Sequence, residues 1–139
     1  MMTIQPAIQS VGGSMLRCFA VCLICLLLTG CADEPGEDIL NRLYGTWETG
    51  AAGYENTRFE IRKKKIAFYA LDGTVSENLI TNIRHLPDKK GDLLSIEYKD
   101  RQGQEYLLTV YLYSRPDRDA LVFKNQAHII WQKNPGFAE

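Results

Sequence analysis

Few residues in this chain have the types and spacing that chemistry requires. Cys18, Cys22 and Cys25 follow one another at intervals of four and three residues. That spacing places three thiols on one face of a helix, where they could hold a soft metal ion. Their setting argues otherwise, because they belong to the run CFAVCLICLLL (residues 18–28), whose other side chains are all apolar. His85 and His128 are far apart and have no acidic or thiol partner at ligand spacing, so each reads as a turn or surface residue. Ser76, Ser95 and Ser114 stand outside any nucleophile-elbow pattern. Alternation turns many strand acids toward solvent, and no pair is singled out for acid–base work. The expectation is a protein without catalytic residues, metal or cofactor.

The elements around those residues are more informative. One positive charge, Arg17, precedes the apolar run, and small residues at Thr29 and Gly30 end it. Such an order describes the charged and hydrophobic regions of an export signal. Eleven residues in helix cover about 16 Å at ~1.5 Å each, far less than a ~30 Å hydrocarbon core, so a permanent spanning helix is not expected. Residues 1–14 carry no charged side chain, whereas Met15-Leu16-Arg17 opens a compact signal, and translation is expected to be able to start at Met15.

The tetrapeptide Leu28-Thr29-Gly30-Cys31 resembles the lipobox of bacterial lipoproteins. The resemblance implies diacylglyceryl transfer to the Cys31 sulfur, cleavage between Gly30 and Cys31, and acylation of the new amino terminus. One acyl chain binds a bilayer marginally while two or three hold firmly, at about 0.8 kcal/mol per buried CH₂. Ala32 follows Cys31, and in lipoproteins of enterobacterial type that residue implies release to the outer membrane, facing the periplasm. Residues 1–30 are then a signal peptide, 31–37 a lipidated tether broken by Pro35 and Gly36, and 38–135 the folded domain.

Removal of residues 1–30 leaves 109, enough for one domain with a single core. Only Arg17 among the 16 Lys and Arg precedes Cys31, and all 17 Asp and Glu follow it, so the remaining chain carries about −2. A nucleic-acid partner is not expected without a concentrated positive field. No cysteine follows Cys31, so the domain must stand on packing alone.

Ile39, Leu40 and Leu43 mark one short amphipathic turn. From Tyr44 onward the apolar period is two. Strands are expected over residues 44–48, 57–62, 66–71, 75–84, 94–99, 105–113, 120–124 and 128–133. Lys63-Lys64, Asp72-Gly73, Asp100-Arg101-Gln102-Gly103 and Asn125-Gln126 read as turns, Asp72-Gly73 as a two-residue hairpin. Connections this short predict an all-β antiparallel up-and-down meander of about eight strands, and closure into a small barrel would remove its edges.

A short helical turn, then Gly45-Thr46-Trp47, then a meander is similar to the start of a lipocalin-like barrel. That resemblance implies a tryptophan closing one barrel end. Lys133 stands nearest to the place where the family's last strand provides an arginine to stack on it. It also implies a small apolar ligand enclosed among Trp47, Phe59, Phe68, Tyr98 and Phe123. The other role open to such a domain is protein interaction through its outer strands. With Leu108, Val110 and Leu112 inward, Leu107, Tyr111 and Tyr113 face out, and Val122 and Ile130 do likewise. The number of large aromatics in so short a chain favours a filled interior and therefore a non-enzymatic interaction or accessory module. Arg62-Lys63-Lys64-Lys65 is the sharpest charge feature and reads as a solvated hairpin tip.

Overall fold

Gly45 explains how the chain enters the barrel. In the computed structural model, which describes residues 33–136, the helix α1 (Glu37–Leu43) leads directly into the strand β1 (Gly45–Glu48). Glu37 and Asp38 in its first turn and Arg42 in its last complement the helix dipole. Tyr44 is already extended, and Gly45 has φ 141°, a conformation that L side chains rarely adopt. A Cβ at Gly45 would also lie 2.7 Å from Lys133 Cε. The glycine of the Gly-x-Trp spacing is therefore required twice, for its backbone and for its space.

Seven strands follow: β2 (Arg58–Ile61), β3 (Lys65–Tyr69), β4 (Val75–Leu86), β5 (Asp92–Lys99), β6 (Glu105–Tyr113), β7 (Ala120–Phe123) and β8 (Trp131–Lys133). Each pairs antiparallel with its neighbour, and β1 closes on β8 through Trp47↔Lys133 and Glu48↔Gln132. Among the described residues the fold is thus all-β, a closed eight-stranded up-and-down barrel behind one short helix. Its interior is apolar, including Phe59, Ile61, Ile66, Leu94, Ile96, Val110, Leu112 and Leu121, all nearly inaccessible. Its outward positions include Arg58, Glu60, Glu77, Glu97 and Lys99. A barrel that crosses a bilayer needs the opposite pattern, an apolar outer band. Among the described residues no helix is long and apolar enough to cross a membrane.

Several local readings of the sequence need correction. β3 ends at Tyr69 rather than residue 71, and β5 starts at Asp92 rather than residue 94. Three further corrections concern a turn, a bulge and the last strand. The Asp72-Gly73 turn is a three-residue loop, since Ala70 N–H donates to Thr74 O and Gly73 has φ 81°. β4 runs to Leu86 rather than residue 84, and a bulge between Ile80 and Asn82 lets both Ile80 and Ile83 turn inward. The last strand starts at Trp131 rather than residue 128. Residues 126–129 form a turn in which Ile129 N–H donates to Gln126 O, and this buries Ile129.

Beyond its pairing with β3, the far half of β4 has an open edge. There Asp33 forms an antiparallel bridge with His85, whose N–H donates to Asp33 O at 2.8 Å. The segment that precedes α1 is therefore fixed to the barrel wall. Residues 33–136 belong to one compact unit, residues 32–139.

Candidate functional site

The interior aromatics meet in one stack of rings. Phe59 is central: its ring lies 6.4 Å from Trp47, 6.2 Å from Phe68, 5.4 Å from Phe123 and 4.9 Å from Trp131. Phe68 continues the series to Tyr98 at 6.0 Å, and Tyr98 stacks on Tyr106 at 5.3 Å. These are the spacings of rings in direct contact. Trp47, Phe59, Phe68, Tyr98 and Phe123 therefore share one interior, as alternation predicts, and there they pack on each other. Trp131 is the interior ring that sequence reading missed. Tyr54, from the loop between β1 and β2, packs edge-on against it at 6.1 Å and helps to close that end.

The opposite end is closed by α1. Trp47 Nε1–H donates to Leu43 O at 3.0 Å, and Leu43 is fully buried. Lys133 Nζ donates to Asn41 O and Arg42 O at 3.0 and 2.9 Å, and it lies 6.0 Å from the Trp47 ring centre. Lys133 thus stands on the tryptophan and caps the helix C-terminus at the same time. Burial holds its ammonium below the ordinary lysine value, and Asp119 acts against that shift. Lys133→Met keeps the stem but loses both charged hydrogen bonds. It should lower stability by about 1–3 kcal/mol, read as a shifted urea midpoint with an unchanged slope. A midpoint equal to wild type would show that the helix end needs no cap.

Arg42 fastens α1 to two further strands. Its Nε donates to Asp119 and its Nη1 to Asp92, both at 3.2 Å. His85 Nε2 lies 3.4 Å from the other Asp92 oxygen, so His85 belongs to this half-buried network rather than to a turn or an open surface. His128 is exposed in the loop before β8. Among the described residues, no group of three or more His, Cys, Asp or Glu is placed to hold a metal ion. A cleft of about 920 Å³, open to solvent, lies beside the helix end and is lined mainly by polar residues such as Asn41, Glu60, Arg118 and Lys133. None of the interior aromatics lines it.

The outward apolar residues of β6 do not form one patch. Tyr111 and Tyr113 stack at 6.0 Å with 20° between their planes. Tyr111 is paired with Leu93 on one side and Val122 on the other, and those two are only 4 % and 8 % exposed although they point outward. Gly91 allows the Tyr113 ring to approach, since a Cβ there would lie 3.1 Å from it. Tyr111 Oη–H donates to Asp88 at 3.2 Å. Desolvation first, then that carboxylate, holds the Tyr111 hydroxyl proton above the usual value of 10.0. Leu107 is 64 % exposed but stands four residues away, about 13 Å along the strand. Ile130 is exposed as expected, at 41 %.

The lipidation and cleavage residues, Gly30 and Cys31, lie outside the described residues, as do Met15 and the three cysteines of residues 18–25. No protein-family model, no curated protein and no solved structure matches this chain.

Proposed function

We propose that this chain is a bacterial envelope lipoprotein. Lipids on Cys31 hold it to the outer membrane, and its barrel serves in the periplasm as a non-enzymatic protein-interaction or accessory module. The anchor rests on Leu28-Thr29-Gly30-Cys31 behind its charged and apolar segment. The observation that carries the interaction role is the interior itself, where rings pack against rings. The docking face is the stacked pair Tyr111 and Tyr113 over Leu93 and Val122. Tyrosine offers large contact area with few rotors, and this pair is already ordered by its stacking.

Two experiments test the reading. Cys31→Ala should shift the protein out of the detergent-phase membrane fraction or leave its signal uncleaved. Unchanged partitioning together with unchanged size would remove the lipid anchor. For the interface, Tyr111→Ser combined with Tyr113→Ser should keep the barrel, because neither ring enters its interior. Loss of the stacked pair should cost about 1 kcal/mol of stability. The double variant should also lose the envelope partner that wild type retains in crosslinking pull-downs. Retention of that partner by a folded double variant would move the interface elsewhere.

A further inference from the structure

We propose that the open edge of β6 joins two copies of this chain as a symmetric dimer, strand against antiparallel strand, with its two-fold axis at Tyr106. β6 is nine residues long and its neighbour β7 only four, so β7 pairs with Val110 to Tyr113 and no further. The last bond on that side runs from Lys124 N–H to Thr109 O at 2.9 Å. Gln126 N–H then donates to Phe123 O, which turns the chain away before it reaches Leu107. Backbone groups alternate sides along a strand. Thr109 faces β7, so Leu107 and Glu105 face the same way, whereas Tyr106 and Leu108 face β5. Among the described residues, nothing pairs on that side with the N–H and C=O of Glu105 and Leu107. Both residues are exposed, Leu107 at 64 %.

An unpaired strand edge accepts extended backbone, and proteins guard such edges with proline, a bulge or charge. Glu105 to Thr109 contains neither proline nor bulge. Its one charge, Glu105, is matched within the chain by Lys99 Nζ at 2.9 Å. Register then selects the occupant. With Tyr106 opposite its own copy, Glu105 of each chain faces Leu107 of the other. Every free N–H and C=O of both edges finds its complement, and the symmetry closes after two chains. An axis at Leu107 is blocked, because it would set Glu105 against Thr109, whose carbonyl already accepts from Lys124. The axis at Tyr106 also makes the two tyrosines a pair without mutual hydrogen bonds, the kind in which side chains lie closest. Tyr106 is 39 % exposed and stacks on Tyr98 at 5.3 Å, so the joint carries that stack from one barrel to the next. An unrelated extended segment would satisfy the backbone alone.

The test uses residues 32–139, one compact unit that holds every core residue and no cysteine. The joint is small, so the dimer is weak, and sedimentation velocity should show monomer at ~10 µM and substantial dimer at ~1 mM. Over the same range the Glu105 and Leu107 amides should pass from free exchange with solvent to protection. Leu107→Glu sets like charges opposite each other twice and should weaken association about tenfold or more. Leu107→Lys meets the same glutamate with the opposite charge and should keep the dimer, which a merely apolar contact would not. Leu71→Glu, at an exposed leucine between β3 and β4, should leave association unchanged. Each replaced side chain is exposed, so all three variants should melt with wild type at low concentration. Neither the lipid anchor nor the Tyr111 face takes part, so failure here leaves both standing. A wild type that stays monomeric at the highest concentration, or grows beyond a dimer, overturns the proposal. So does a Leu107→Lys variant that loses association as fully as Leu107→Glu.

Discussion

Trp47→Ala should cost about 3–5 kcal/mol of stability, the range for emptying a large buried aromatic site. Trp47 is inaccessible to solvent, and its loss acts on three elements at once. Its ring stacks on Phe59, its Nε1–H holds the last carbonyl of α1, and its face lies beneath Lys133. Without it, Leu43 and the helix end have no floor, and β1 joins β8 through only two residue pairs, one of which is Trp47↔Lys133. Domains of this size hold only ~5–15 kcal/mol in total, and no disulfide is present after Cys31 to limit the damage. At about 4–8 °C per kcal/mol the melting temperature should fall by more than 10 °C. Trp47→Phe keeps most of the ring but not the N–H, and should fall between the two. A Trp47→Ala protein that melts within 3 °C of wild type would show that the helix, not the ring, closes the barrel.

Much of the barrel was legible because its strands are half-buried and short. Burial on one face forces period two, so β6 was bounded at Glu105 and Tyr113 from alternation alone. The Gly45-Thr46-Trp47 spacing was equally readable, since a left-handed glycine next to a buried tryptophan leaves a local trace. What alternation cannot show is a change of phase. The bulge after Ile80 depends on how β4 meets β5, so Ile83 and His85 pointed inward unannounced. Trp131 was missed for the same kind of reason. A strand read from residue 128 blurs where alternation begins, and the turn that buries Ile129 is set by hydrogen bonds to residues 123 and 126. The Arg42 network joins residues 50 and 77 positions apart, which only barrel closure brings together. The tyrosine face was half legible: its direction followed from alternation, while the burial of Leu93 and Val122 beneath it required three adjacent strands.

Phe59→Ala should separate a filled barrel from a carrier. Phe59 contacts Trp47, Phe68, Phe123 and Trp131, so truncation removes the centre of the ring stack rather than its edge. The direct cost should again be about 3–5 kcal/mol, because rings held by four strands cannot all collapse into the space. The hole would be apolar, and apolar cavities of that kind stay dry and accept small hydrocarbons. Benzene at millimolar concentration should therefore raise the melting temperature of Phe59→Ala by several degrees and leave wild type unmoved, since a ligand stabilises only a state that has room for it. A carrier would behave in the reverse sense. Wild type would release an apolar molecule on denaturation, visible by native mass spectrometry before unfolding, and Phe59→Ala would lose it. A benzene-induced shift in wild type equal to that in the variant would mean that the interior already holds usable space. The outer tyrosine face would then no longer be the place to look for function.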